Sequence, residues 1–149
     1  MKKMKKFIAK LKKIIHLTED TWDFVFDYEK LDFVPGQFFI MDVEDGKEGK
    51  CTRSYSVASK PGADTFLLNV KLLEDGRASN YFRSMNEGKE VSFMGPFGHF
   101  QLKDSPKDII MVATGTGIAP FMSMLPVLFE KKFAGKITLF FGVRHEEDL

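Results

Sequence analysis

Residues 109–120 read IIMVATGTGIAP, and this stretch decides how the second part of the chain folds. It opens inside an almost wholly apolar run, Asp108–Ala113, which is typical of a strand buried on both faces. Thr114–Gly117 is a glycine-rich turn, and from Ile118 to about residue 132 apolar side chains recur at three- and four-residue spacing, which predicts a helix. Ile137–Gly142 predicts a second buried strand. Strand, helix, strand is the unit of a parallel sheet.

The first hundred residues have a different pattern. Six stretches rich in Phe, Val, Ile and Thr are separated by turn signals such as Pro35-Gly36 and Pro61-Gly62. This spacing predicts a closed antiparallel barrel of six strands, with a short helix within Gly76–Met85. The predicted strands are Lys6–His16, Thr21–Tyr28, Gln37–Val43, Arg53–Ala58, Thr65–Leu73 and Glu90–Met94.

These patterns divide the chain into two domains. Residues 1–103 are predicted to form the all-β barrel, and residues 104–149 the start of an α/β Rossmann-like nucleotide-binding domain. About 45 residues of strand, helix and strand cannot bury both faces of a parallel sheet. Glu146–Leu149 stands where a further helix is expected to begin. We therefore expect the front portion of a longer two-domain protein.

Composition excludes several classes of protein. The net charge of +1 gives no reason to expect nucleic acid as a partner. The one cysteine, Cys51, rules out an internal disulfide and fits a reducing, cytoplasmic compartment. Its ordinary interpretation is a small filler residue in a strand. The three histidines are scattered, and no Cys/His cluster has metal-ligand spacing, so no metal is expected.

Two segments resemble membrane or targeting sequences without fitting them. The first thirteen residues contain seven lysines, but no apolar core of a signal peptide follows, so an edge strand of the barrel is favoured. Residues 109–129 carry no charge over 21 positions, long enough to span a bilayer. The glycines and prolines within them favour strand, turn and helix instead, and no membrane insertion is expected.

The tetrad Arg53-Ser54-Tyr55-Ser56 carries the chemistry of the predicted barrel. In a strand, Arg53 and Tyr55 share one face while Ser54 and Ser56 share the other. Arg53 can donate a charge-assisted hydrogen bond to a phosphate, and Tyr55 can stack on a flat aromatic ring such as a flavin. The Ser56 hydroxyl can bond the edge of that ring. An ordinary half-buried strand with an outward arginine is the alternative.

A second candidate phosphate site lies at Gly76–Tyr81, which predicts a turn leading into a helix. The free N–H groups of a helix N-terminus favour an anion, and Ser79 can add a hydroxyl to a pyrophosphate. The alternative is that Ser79 or Asn80 only caps the helix. The two interpretations stay open on this segment alone.

The turn before the second helix is the more specific phosphate signal, because a buried strand precedes it. Gly115 and Gly117 allow the backbone to turn and to approach phosphates closely. Pro126 falls beyond the first helical turn, where it costs about 3 kcal/mol or forces a kink. Arg144 follows the second strand and favours the 2′-phosphate of NADPH over NADH. A salt bridge to Glu146–Asp148, or plain exposure, explains Arg144 equally well.

Taken together in this order, the motifs resemble the ferredoxin–NADP reductase superfamily of flavoproteins from about Lys6 to Leu149. The motifs are Pro35-Gly36-Gln37-Phe38, Arg53 to Ser59, Gly76 to Tyr81, Gly95-Pro96-Phe97-Gly98, Gly115 to Pro120, Phe141 to Arg144, and Asp148-Leu149. The resemblance implies an N-terminal FAD barrel, a C-terminal NAD(P) domain, and hydride transfer from NADPH or NADH to FAD. Electrons would then pass to a protein acceptor such as ferredoxin, flavodoxin or an iron–sulfur protein.

By that likeness Ser56 and Tyr55 are the expected catalytic residues, with Tyr55 on the flavin and Ser56 near flavin N5 and the nicotinamide. Arg53 is expected to hold the FAD phosphate, and Thr116 to lie near flavin and nicotinamide. The expected cofactor-binding set is Arg53, Ser54, Tyr55, Ser56, Asn69, Val70, Lys71, Gly76, Ala78, Ser79, Asn80, Gly115, Thr116, Gly117, Ile118 and Arg144.

The chain departs from the family in one respect that bears on activity. The closing Cys-Gly-Pro segment and the C-terminal residues that complete the nicotinamide pocket are absent from the sequence. Two alternatives therefore accompany the main interpretation. One is an electron-transfer subunit that works only within a reductase or oxygenase complex. The other is a flavin-binding fragment without NAD(P)H turnover.

Overall fold

A computed structural model describes residues 5–29, 32–103 and 107–149. Its first part is one curled antiparallel sheet with the strand order β4-β3-β6-β1-β2-β5. A bridge between Val57 and Leu68 brings the two edge strands together. The predicted six-stranded barrel is confirmed. The strands are β1 Lys5–His16, β2 Thr21–Asp27, β3 Phe38–Asp42, β4 Thr52–Ser56, β5 Thr65–Lys71 and β6 Glu90–Phe97.

Phenylalanine fills the interior of this sheet. Side chains alternate between the two faces of each strand, so every second residue of β5 lies in the core. Phe26, Phe39, Phe66 and Phe93 are almost fully buried, with ring centroids 5.1–6.5 Å apart. Each buried ring contributes roughly 1.5–3 kcal/mol of transfer free energy. The high phenylalanine content is therefore explained by the barrel core.

A short helix, α1 Arg77–Ser84, lies between β5 and β6 and closes one end of the core. Tyr81 and Phe82 are its buried aromatic residues, and the ring centroids of Phe82 and Phe24 are 4.4 Å apart. The predicted helix within Gly76–Met85 is confirmed, with Gly76 as N-cap and Met85 as C-cap.

The second part forms the predicted strand, helix and strand. Strands β7 Ile109–Thr114 and β8 Ile137–Gly142 are parallel, with Ile109 opposite Ile137. A 3₁₀ turn, Gly115–Ile118, leads into α2 Ala119–Glu130. The apolar run of residues 109–129 is thus divided as expected, and no helix in the described part of the chain is long and apolar enough to cross a membrane.

Several element bounds differ from the predicted ones. Strand β6 continues to Phe97 because Phe97 pairs with Phe38 of β3. Helix α2 begins one residue late because Gly115–Ile118 winds as a 3₁₀ turn, with Gly115 at φ +49°. The helix runs through Pro126, which has no N–H to donate to the carbonyl of Met122.

Helix α2 also packs against the loops of the barrel. A Cβ atom at Gly36 would lie 1.8 Å from the carbonyl oxygen of Phe100 and 2.6 Å from the Met124 side chain. Phe100 meets Phe121 edge-to-face at 5.7 Å. Residues 104–106 fall outside the described residues, so the domain boundary at 103/104 stays a prediction.

Candidate functional site

Strand β4 carries the tetrad on an edge of the sheet. Arg53 lies opposite Met41 and Tyr55 opposite Phe39, so both point to the face that the core residues share. Arg53 is exposed, and its Nη1 donates 2.8 Å to the carbonyl of Thr52. Most of its donors therefore remain available to an anion.

Tyr55 packs against the barrel core. Its half-buried ring meets Phe82 of α1 edge-to-face at 5.3 Å. Burial raises the pKa of the Tyr55 hydroxyl to about 12, so the phenol keeps its proton at neutral pH. Ser54 and Ser56 lie opposite Ile40 and Phe38, on the other face of the strand.

The N-terminus of α1 contradicts one of the two interpretations of Gly76–Tyr81, and the pyrophosphate interpretation stays a prediction. Gly76 is the N-cap and no side chain caps the helix, so the expectation that Ser79 or Asn80 is the cap is wrong. Ser79 is buried, and its Oγ accepts a 2.9 Å hydrogen bond from the amide of Leu73. Ala78 is also buried. The first turn is therefore tied to the end of β5.

Arg77, in the first turn of α1, has a fixed partner. Its Nε and Nη2 donate to the two carboxylate oxygens of Asp45 at 2.8 and 2.7 Å. The guanidinium holds the pKa of Asp45 far below its usual range. This fork between α1 and the loop after β3 positions the helix.

A cavity of about 810 Å³ lies between the outer face of β2 and β5 and the turn after β7. Cavities of this size are typical of small-molecule sites. Six of the expected cofactor-binding residues line it, together with residues that the sequence did not single out. The six are Asn69, Lys71, Gly115, Thr116, Ile118 and Arg144, and the others include Thr18, Asp23 and Met122.

The remaining expected residues lie elsewhere. The β4 tetrad, the start of α1 and Gly117 are outside this lining. The side chain of Val70 is 3% exposed and belongs to the barrel core, so only its backbone is available to a ligand. An added Cβ at Gly115 or Gly117 would meet no atom within 4 Å, so the turn faces open space.

Polar groups of the cavity form two local networks. Asn69 Nδ2 donates 2.6 Å to Asp23 Oδ1, and burial raises the pKa of the Asp23 carboxyl. Lys71 Nζ pairs with Asp20, and that hydrogen bond lowers the pKa of Asp20. Arg144 forms no salt bridge within residues 5–29, 32–103 and 107–149, so the predicted alternative of a bridge to Glu146–Asp148 is wrong.

The donor set fits a nucleotide better than a metal ion. Arg53 and Arg144 are cations, and Thr116 lies on a glycine turn that faces open space. Among the residues that the structure describes, no three His, Cys, Asp or Glu side chains lie close enough to hold a metal. Cys51 is buried and unpaired, as expected of a filler residue.

Comparison with family models gives two adjacent matches. Residues 8–102 match the model described as the oxidoreductase FAD-binding domain. Residues 111–149 match the model described as the oxidoreductase NAD-binding domain. The two matches coincide with the curled sheet and with the strand-helix-strand unit.

Curated relatives are longer than this chain. The electron transfer component of 2-halobenzoate 1,2-dioxygenase from Burkholderia cepacia is 34% identical over 123 residues, which cover 80% of this chain and 35% of the relative. Ferredoxin–NADP reductase B from Sorangium cellulosum is 38% identical over 103 residues, which cover 68% of this chain and 42% of the relative. The chain thus spans well under half the length of these relatives.

Solved structures give the same fold. A ferredoxin NADP+ reductase from Neisseria gonorrhoeae with bound FAD and NADP matches with a TM-score of 0.86 and 27% identity. That match covers 97% of this chain and 60% of the Neisseria chain. Both the barrel and the following α/β segment are therefore included in the match.

Proposed function

We infer the function from one premise, which is that this chain belongs to the family of oxidoreductase FAD-binding domains. The resemblance to the ferredoxin–NADP reductase superfamily, drawn from the motifs, is confirmed by the two family matches. We propose that the protein of which this chain is part or whole transfers reducing equivalents from NAD(P)H through FAD to a protein acceptor.

The observation that carries the proposal is the shared cavity of about 810 Å³. Barrel residues Asn69 and Lys71 line it from one side, and Thr116 and Arg144 line it from the side of the nucleotide unit. The β4 tetrad lies outside this lining, so we propose that the cavity holds the nicotinamide nucleotide on the turn and only the part of the flavin nucleotide that reaches Asn69 and Lys71. FAD, when bound, supplies the chemistry of accepting a hydride and releasing electrons one at a time.

The proposed roles of the chain's own residues follow from their positions. Arg53 would bind a cofactor phosphate, Tyr55 would support the flavin ring from its face, and Ser56 would hydrogen-bond near the reacting edge. The open backbone at Gly115 and Gly117 would admit the NAD(P) phosphates. Arg144 is exposed, as the alternative of plain exposure expects, and it lines the cavity, where it would hold the 2′-phosphate of NADPH.

The electron acceptor is proposed from relatives. Their names include an electron transfer component of a dioxygenase and a ferredoxin–NADP reductase. An acceptor that is a ferredoxin, a flavodoxin or an iron–sulfur oxygenase component fits both names, and so does the alternative of an electron-transfer subunit. We also propose a cytoplasmic location, which the single buried Cys51 supports.

The test begins with FAD alone. We expect the purified chain to bind FAD in a calorimeter and to show the visible absorbance of a flavoprotein. With NADPH under anaerobic conditions, bleaching of the flavin absorbance in stopped flow measures hydride transfer. A folded chain that stays colourless and binds no FAD would contradict the proposed function.

Ser56→Ala tests the proposed catalytic role separately. We expect slower flavin reduction, on the order of 10-fold or more, with FAD still bound, because the hydroxyl acts on the reacting edge and not on the phosphates. Thr52→Val, on the same face of β4 and outside the expected cofactor-binding set, is the matched control and should leave the rate unchanged. Bound FAD that NADPH does not reduce in the wild-type chain would favour the fragment alternative.

A further inference from the structure

We propose that Asp23 is a positioning residue that fixes the Asn69 side-chain amide with its carbonyl oxygen toward the cavity. There the oxygen accepts a hydrogen bond from an N–H or O–H group of a bound nucleotide. The inference rests on the proposed function, since the nucleotide is the ligand that function requires. Asp23 belongs to none of the sequence motifs that define the candidate site.

Strand pairing places the two side chains together. In the antiparallel pair of β2 and β5, Asp23 lies directly opposite Asn69. Directly opposed side chains share one face of the sheet. Asn69 Nδ2 donates to Asp23 Oδ1 at 2.6 Å, a short bond to a charged acceptor.

This bond decides which way the amide points. A carboxylate only accepts hydrogen bonds, so the amide must turn its NH₂ group toward Asp23. The amide oxygen is then directed away from Asp23. Within the part of the chain that the structure describes, no group donates to Asn69 Oδ1. Both residues line the cavity, which leaves this acceptor available to a ligand.

The neighbouring charged and polar groups do not supply the hydrogen-bond acceptor that Asn69 Oδ1 provides. Lys71, two residues from Asn69 on the same face, is engaged with Asp20. On the far side of the cavity Thr116 and Arg144 can donate to a ligand. The Asp23–Asn69 pair therefore adds an acceptor opposite groups that act as donors.

Asp27 is a carboxylate on the same strand that only forms an exposed ion pair. It lies four residues from Asp23 and so on the same face of β2, and its Oδ1 accepts 2.9 Å from exposed Lys12. Asp27 is outside the cavity lining. It provides a matched control for any effect of removing a carboxylate from this sheet face.

The experiment measures nucleotide affinity for the full chain. FAD is titrated calorimetrically into the wild type, Asp23→Leu, Asp23→Asn and Asp27→Leu, and NADPH is then titrated into each FAD-loaded protein. We expect Asp23→Leu to weaken binding of one nucleotide about 3- to 10-fold. Asp23→Asn, which keeps an acceptor for Asn69, and Asp27→Leu should stay within about 2-fold of the wild type.

The nucleotide whose affinity falls in Asp23→Leu is the one that donates the hydrogen bond to Asn69 Oδ1. Weaker FAD binding alone would place the donor on the flavin nucleotide, and weaker NADPH binding alone would place it on the nicotinamide nucleotide. Unchanged affinity for both, with the wild type binding normally, would overturn the inference. Failure of the wild type to bind FAD would instead contradict the proposed function.

A double-mutant cycle distinguishes positioning from a direct contact. In an Asn69→Ala background, Asp23→Leu should cause no further loss, because Asp23 acts through Asn69. Additive losses, or an equal loss in Asp23→Asn, would overturn the positioning role. If Asp23→Leu does not fold, as judged by its melting temperature, Asp23→Ala, which also removes the acceptor, replaces it with the same expected outcomes.

Discussion

Arg53 is the residue whose surroundings differ most from those of a structural arginine. It is exposed on an edge strand, and among the residues that the structure describes its one hydrogen bond goes to the neighbouring carbonyl of Thr52. By contrast, Arg77 is held in a fork by Asp45. Replacing an arginine that supports nothing else should leave the fold intact, so Arg53 can be tested for binding alone.

We expect Arg53→Ala to lower the affinity for FAD by one to two orders of magnitude, because a charge-assisted hydrogen bond is worth roughly 1.5–3 kcal/mol. The melting temperature should not change. Calorimetric titration of FAD measures the first effect and thermal unfolding by circular dichroism the second. Lys12→Ala, which removes an exposed cation of the barrel paired with Asp27 outside the cavity lining, is the control. An unchanged FAD affinity would remove Arg53 from the site.

Gly36 shows how a single hydrogen atom as side chain permits close packing. Its φ is +94°, and a Cβ there would lie 1.8 Å from the carbonyl oxygen of Phe100. We expect Gly36→Ala to destabilise the protein by about 3 kcal/mol or more, through both backbone strain and overlap. Gly46→Ala has φ +72° but no atom within 4 Å, so it isolates the backbone contribution. The urea midpoints of the two variants measure their losses of stability. Equal losses would show that the atoms around Gly36 move aside for the added Cβ at no cost in stability.

The sequence predicted single residues best where one local motif defines the position. The β4 tetrad and the glycine turn could be proposed because chemistry and spacing coincide within a few residues. The sequence did not single out Asp23, because its hydrogen-bond partner Asn69 lies 46 positions away. Val70 was assigned to the site by resemblance, yet strand alternation places its side chain in the core. Cross-strand partners depend on register, which no single strand specifies.

At the scale of elements, helix α1 depends on a contact outside itself. The helix spans eight residues, which is too short for intrinsic helix stability. Burial of Phe82 and the fork between Arg77 and Asp45 hold it against the barrel. Because Tyr55 packs on Phe82, the position of α1 also sets the position of the proposed flavin-facing ring.

Asp45→Asn should therefore lower stability in a pH-dependent manner. The pKa of Asp45 is depressed by Arg77, so the carboxylate contributes stability above its ordinary pKa of 3.8 and loses it as the pH falls further. We expect the variant to be less stable than the wild type at pH 7, with the difference shrinking steadily below about pH 4. Urea midpoints at pH 7, 4 and 2.5 test this. Asp27→Asn, in an exposed pair, should show little difference at any pH.

Element bounds were predicted less well than element order. All six barrel strands, both helices and both parallel strands were found from apolar periodicity and turn residues. The observed ends differ from the predicted ones where pairing with another strand decides them. Strand β6, for example, extends to Phe97 because Phe97 pairs with Phe38 of β3. The 3₁₀ turn before α2 follows from the left-handed backbone of Gly115, which spacing alone does not reveal.

At the scale of the whole molecule, the two faces of the small parallel sheet differ in how much apolar side-chain area they bury. One face of β7 and β8 lies under α2, where Met111 and Ala113 are buried. On the opposite face Ile110, Val112 and Phe140 are 69%, 68% and 60% exposed. Parallel sheets normally have both faces covered.

Val112 and Phe140 are direct partners across the two strands, so they form the centre of the exposed face. We expect the double substitution Val112→Thr, Phe140→Thr to reduce concentration-dependent association of the chain, because exposed contiguous apolar area drives it. Sedimentation velocity from low to high micromolar concentration measures the change. The free energy of unfolding should shift by less than about 1 kcal/mol, since little burial is lost.

Leu73→Thr, which removes an isolated apolar residue that is 63% exposed, is the control and should leave association unchanged. Association that persists undiminished in the double variant would mean that another surface is responsible.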